Sequence, residues 1–161
     1  MSKWFEWEAF DPNPSVTKYT RGKNKGNYRS KGDCVVRAFC KLWDKDWDST
    51  ARLLFERALI EHDMPNSPEV WKKFLVRDTV IEAKKPASTR SGYKWKTVAD
   101  VAHETIGLQR TIICSCPNHI VAVRDGRIYD SWCSSHLTVR EVFCRPEDKS
   151  LSQEDKKGVS K

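Results

Sequence analysis

An α+β domain, with helices first and an antiparallel sheet after them, is the fold class this sequence predicts. Apolar residues recur at helical spacing from about residue 33 to residue 75, and the pattern changes to short alternating runs after residue 110. Between two of those runs stands Asp125-Gly126, the dipeptide best suited to a two-residue hairpin turn. At 161 residues the chain has the length of one domain with a real core, and 39% hydrophobic residues including 7 Trp argue for a folded rather than a disordered protein.

Residues 1–20 read as an irregular arm that docks through Trp4, Phe5, Trp7 and Phe10, with Pro12 and Pro14 interrupting regular structure. The domain proper is expected over residues 21–145. Its first helix should begin with Asp33 as cap and run to about Trp43, burying Val35, Val36, Phe39, Leu42 and Trp43. Ser49-Thr50 reads as the cap of a second helix carrying Ala51, Leu53, Leu54, Ala58, Leu59 and Ile60. Ser67-Pro68-Glu69 suits the start of a third, which would bury Val70, Trp71, Phe74 and Leu75.

Residues 83–96 are basic and turn-rich, and Thr97 should cap a short helix that ends near Gly107. Strands are then expected over Arg110–Cys114, His119–Arg124, Arg127–Trp132 and Leu137–Phe143. The charged stretch 146–161, nearly free of apolar residues, reads as a disordered tail.

No apolar run approaches membrane-spanning length and none resembles a signal peptide, so a soluble cytoplasmic protein is expected. In that compartment the 6 Cys should be thiols, metal ligands or a nucleophile rather than a disulfide framework. The net charge of +7 is concentrated between Lys18 and Lys31, where Lys18, Arg21, Lys23, Lys25, Arg29 and Lys31 occur without an acid and Tyr19 and Tyr28 are interleaved. Such a stretch is either a solvated loop or a surface for nucleic acid or an acidic partner. It leads directly toward Cys34 and could form one lip of a cleft.

Two segments carry chemistry. Gly32-Asp33-Cys34-Val35-Val36-Arg37 places a thiol in the opening turn of a helix, where free backbone N–H groups and the helix dipole favour thiolate. The second segment runs from His119 through the Asp125-Gly126 turn to Asp130-Ser131-Trp132. With Arg124 opposite Arg127, Val123 faces Ile128, Val121 faces Asp130 and His119 faces Trp132, so His119 and Asp130 become diagonal neighbours. Asp130 could then fix the imidazole tautomer while Trp132 shields the bond from water.

The order Cys34, His119, Asp130, with Ser131-Trp132 after the acid, resembles the papain-like cysteine hydrolases, in particular small papain-fold proteins of bacterial or phage genomes. The resemblance covers roughly residues 27–45 and 117–133 and implies a helix bearing the cysteine packed on a C-terminal antiparallel sheet. It implies an intracellular peptidase, isopeptidase or amidase with a peptide or protein substrate, a thioester intermediate and no cofactor. Family members usually place a Gln before the nucleophile as oxyanion donor. No Gln precedes Gln109 here, and Asn27 takes that role as the nearest candidate, with Asn24 a second. Arg37, one helical turn after Cys34, attracts a substrate carboxylate, or lowers the thiol's pKa, or lies on a solvated face.

A metal site is the main rival. Cys116-Pro-Asn-His119 and Cys133-Ser-Ser-His136 are two C-x2-H pairs with the spacing of zinc ribbons, and the hairpin would bring them together. Zinc bound there would take His119 away from any role as a base. Cys114 and Cys144 lie close by in sequence, and Cys40 reads as an ordinary core residue.

Overall fold

The computed structural model describes residues 5–29, 31–78, 82–84 and 96–144. Among them the chain forms an α+β fold, with helices α1 (Cys34–Trp43), α2 (Trp47–Glu61), α3 (Pro68–Lys73) and α4 (Val98–Glu104). The strands are β1 (Glu6–Ala9), β2 (Glu82–Lys84), β3 (Ile112–Cys116), β4 (His119–Arg124), β5 (Arg127–Asp130) and β6 (Glu141–Cys144). They form one mixed sheet in the order β1-β5-β4-β3-β6-β2. No described helix is long and apolar enough to cross a membrane.

Alternation along the central strands divides the core in two. Ile113, Ile120, Ala122, Tyr129 and Phe143 pack with Val35, Val36, Phe39 and Cys40 of α1, while Val121, Val123, Ile128 and Val142 pack with Val98, Val101 and Ala102 of α4. Phe39 is fully buried and meets Trp43 edge-on at 4.8 Å between ring centroids, a side chain whose burial stabilises the fold by about 1.5–3 kcal/mol. Its loss would detach α1 from the sheet that faces it.

The β4–β5 hairpin has the expected register: Arg124 pairs with Arg127, Val123 with Ile128 and Ala122 with Tyr129. Asp125 (φ 49°) and Gly126 (φ 74°) both adopt the left-handed region that such a tight turn requires. A side chain at position 126 would also come within 3.0 Å of Ile106.

Several expectations need correction. The segment before residue 20 is not wholly irregular, because Glu6–Ala9 adds a strand parallel to β5 in the register Glu6–Arg127 to Ala9–Asp130. The second helix starts at Trp47, not after Ser49-Thr50, since the Asp46 carboxylate accepts from the Ser49 N–H at 2.9 Å and is the true cap. The third helix continues beyond Lys73 as a wider π-helical turn over Phe74–Asp78, and Leu75 is still buried. The last strand is shorter than expected, with Glu141 rather than Leu137 as its first residue.

Thr97 caps α4 as expected, in a reciprocal capping box with Asp100. Within 83–96, residues 83–84 belong to β2, which pairs with β6. Residues 85–95, the side chain of Trp4 and the tail 146–161 lie outside the described residues. The basic stretch forms a looped lobe closed by pairing of Lys18 with Tyr28. Lys18 lies 4.9 Å from the Tyr28 ring centroid and Arg29 4.9 Å from that of Tyr19, so the lobe's own cations cover its tyrosines.

Candidate active site

Cys34 is the first residue of α1, and the backbone turns into the helix through Gly32 at φ +74°. Asp33 stands at the N-cap position but does not cap. Its carboxylate points elsewhere, accepting from Asn13 Nδ2 at 2.8 Å, Arg37 Nη1 at 2.9 Å and Trp47 Nε1 at 2.9 Å. The first N–H groups of α1 therefore receive no bond from the Asp33 side chain, which leaves the positive end of the helix beside the sulfur.

The strands supply the other two groups. The Cys34 thiol lines the same cleft as His119 and Ile120 at the start of β4, close enough for both to lower its pKa. His119 Nε2 lies 2.6 Å from Asp130 Oδ2 at the end of β5. Strict alternation would place Asp130 with Ile128 on the α4 side. At the strand end its carboxylate meets His119, which has the parity of Val121 on that same face, while Oδ1 also reaches toward α1 and accepts from Arg37 Nη2 at 3.0 Å and from the Ser131 N–H at 2.7 Å. Trp132 stands beside the imidazole, with ring centroids 5.4 Å apart, and His136 lies 5.9 Å beyond it on the same indole.

Electrostatics follow from these contacts. Burial alone would raise the Cys34 pKa, but the bonds to His119 and Ile120 and the charges of His119 and Arg37 outweigh it and hold the thiol below its ordinary value. Burial likewise disfavours the imidazolium of His119, yet the bonds to Asp130 and Cys34 raise its pKa to about 9. Asp130 is held below the ordinary carboxylate range: burial opposes this, and His119 and Arg37 overcome it. The two shifts run in complementary senses, the thiol down and the imidazole up, and together favour the thiolate–imidazolium pair over the neutral pair. Cys40 in the same helix goes the other way, its thiol pushed by burial up to about 11.

Cys34 and His119 line an open cleft of about 870 Å³, whose walls include Gly32, Trp71, Asn66, Asn118, Trp132 and Arg140. Lys72 and Glu141 form an ion pair on the same wall. Gly32 lines the cleft, but no described residue of the basic stretch from Lys18 to Lys31 does, so the stretch is not the expected lip.

Two sequence-derived assignments are corrected by this geometry. Asn27 does not stand among the residues that line the cleft; it sits in the basic lobe, its N–H donating to Asn24 and its carbonyl accepting from Tyr19. Arg37 is neither a solvated residue nor free to attract a substrate carboxylate. It is 1% exposed, and its guanidinium is shared among Asp11 at 3.3 Å, Asp33 at 2.9 Å and Asp130 at 3.0 Å. The i,i+4 spacing of Asp33 and Arg37 was a legible signal for one of these pairs. Asp11 and Asn13, both buried, had none.

The two C-x2-H pairs do not converge as a zinc ribbon. His119 Nε2 is engaged by Asp130, Cys133 Sγ lies 3.4 Å from Ser135 Oγ, and Cys116 packs in the cluster facing α4. Burial raises the Cys116 thiol to about 12. Among the described residues no group of three or more His, Cys, Asp or Glu is arranged to hold a metal ion.

Comparison with known protein families, with curated proteins and with solved structures returned no match.

Proposed function

We propose that this protein is a papain-like cysteine hydrolase in which Cys34 is the nucleophile, His119 the general base and acid, and Asp130 the group that orients His119. One observation carries the reading: a half-buried thiol at an uncapped helix N-terminus that shares one cleft with an imidazole whose Nε2 lies 2.6 Å from a buried carboxylate. Asp130 keeps the Nε2 proton in place, so Nδ1 is the nitrogen that exchanges a proton with the thiol.

In the reaction the Cys34 thiolate attacks an amide, ester or thioester carbonyl, and the carbonyl π electrons move onto oxygen. The Cys34 backbone N–H, left open at the start of α1, takes the oxyanion-stabilising role, without Asn27. The C–N, C–O or C–S bond then breaks as His119 gives its proton to the leaving amine, alcohol or thiol, leaving a thioester on Cys34. Water, deprotonated by His119, attacks that thioester; the acid departs and the sulfur regains its resting state. An open cleft of about 870 Å³ fits an extended peptide or protein segment better than an enclosed small molecule. Peptidase, isopeptidase and amidase activity all follow this scheme.

The test uses p-nitrophenyl acetate with the full chain. A stoichiometric burst of nitrophenolate with an acetyl group on Cys34 by peptide mass mapping is expected. Cys34→Ala and His119→Ala should show no burst. An acetyl group spread over other residues, or a burst that survives Cys34→Ala, overturns the proposal.

A further inference from the structure

We propose that residues 9–13 act as a strap that positions Asp130 through Arg37, so that the reactivity of Cys34 depends on this segment being docked. The inference rests on the hydrolase reading and extends it to a part of the chain remote in sequence from the three reacting residues.

Four contacts from one short stretch converge on the carboxylate network. Ala9 pairs with Asp130 in the parallel ladder, and the Phe10 N–H donates to the Asp130 carbonyl at 2.8 Å. The Asp11 carboxylate accepts from Arg37 Nη1 at 3.3 Å and from the Asn13 N–H at 3.1 Å. Asn13 Nδ2 donates to Asp33 at 2.8 Å, and Asp33 holds the same Arg37 nitrogen. The strap therefore grips Asp130 by its backbone and Arg37 by its side chain.

Arg37 completes the link, because its second nitrogen donates to the Asp130 oxygen that His119 does not use. A planar guanidinium fork can serve Asp11, Asp33 and Asp130 at once in a fixed plane, and an ammonium cannot. All three carboxylates are at most 9% exposed at the side chain, so water does not substitute for a lost donor. Arg37 is thus a positioning residue: it touches no reacting atom and sets the carboxylate that aims the imidazole.

Arg37→Lys is the decisive variant, since it keeps the charge and removes the fork. Charge alone predicts no change; a positioning role predicts that the His119 titration midpoint, followed by NMR, falls from about 9 toward 6.5. Iodoacetamide labelling of Cys34 at pH 7 should then drop about tenfold, the equivalent of one pKa unit. Asp11→Asn supplies an independent test should Arg37→Lys fail to fold. Losing a nearby negative charge would by itself ease thiolate formation, so slower labelling of Cys34 reports lost geometry. Arg127→Gln, which removes exposed ion pairs to Glu6 and Glu8 on the same strand pair, is the control and should leave both readouts unchanged.

A folded Arg37→Lys protein with the parent's midpoint and labelling rate overturns the strap, as does an Asp11→Asn protein that labels at the parent rate or faster. If Cys34 of the parent protein labels no faster than Cys133, the hydrolase reading fails instead. The His119 midpoint in the same variants still decides whether the strap positions Asp130.

Discussion

His119 and Asp130, eleven residues apart across a hairpin, meet at 2.6 Å between Nε2 and Oδ2, and the second oxygen of the same carboxylate is taken by Arg37 and the Ser131 amide. The acid is thus bonded on both oxygens and buried to 1% exposure. That arrangement limits what can replace it.

Asparagine at position 130 is expected to be more damaging than its isosteric shape suggests. Its single carbonyl oxygen would stay with Arg37 and Ser131, two obligatory donors, and its NH2 group would then face His119. Nε2 would have to accept, the imidazole proton would move to Nδ1, and Nδ1 could no longer take the thiol proton. Labelling of Cys34 at neutral pH should fall on the order of a hundredfold in Asp130→Asn. An NMR spectrum showing an unchanged His119 tautomer would contradict this.

Cys34 should react with iodoacetamide far faster than Cys40. Cys40 sits at about 11 and Cys34 below 9, so the thiolate populations differ on the order of a hundredfold or more below pH 8. Mass mapping under native conditions checks it, and equal rates at the two cysteines would remove Cys34 as nucleophile. Cys34→Ala should fold, because it removes only a half-buried sulfur.

The pH dependence has two arms. Labelling of Cys34 should set in below the ordinary thiol range. Turnover should fall as His119 deprotonates near pH 9, because the leaving group loses its proton donor. Stability follows the same group. A histidine raised from 6.5 to about 9 on folding contributes stability that is full below 6.5 and lost as pH rises through 9. In Cys34→Ala, where no thiolate offsets the effect and Asp130 alone still raises His119, the melting midpoint should decline as pH rises above 6.5, over a narrower range than in the parent. Adding His119→Ala should flatten that decline.

Cys116→Ser and His136→Ala should leave Cys34 labelling nearly unchanged, since neither bonds to the Cys34-His119-Asp130 set. Chelator treatment is expected to leave the melting midpoint where it was. A large drop would show that a metal supports the hairpin and would restore the zinc ribbon.

The hairpin and the Cys34 helix were legible because both rest on local rules: a two-residue Asp-Gly turn fixes register, and apolar spacing fixes a buried helix face. The pairing of β1 with β5 was not, because it joins residues about 120 apart and β1 alternates only weakly between exposed and half-buried positions. Arg37 was misread for a related reason. A charged residue on a helix implies solvent unless its partners are known, and two of its three carboxylates come from distant parts of the chain. The N-cap expectation at Asp33 failed for the same cause, since Asn13, Arg37 and Trp47 compete for its oxygens. Asn27 was chosen by sequence proximity to Cys34, which the intervening turn does not preserve.

The parallel pairing of β1 with β5 gives the molecule a built-in order of events during synthesis. Residues 6–9 are synthesised before residues 127–130 and must wait for them before they have a partner, and Cys34 waits equally for His119. Until the hairpin emerges, the thiol has neither its base nor the strand that steadies the base's carboxylate. Under the proposed function, a half-made chain therefore carries an ordinary, sluggish cysteine that becomes a nucleophile only when the sheet closes.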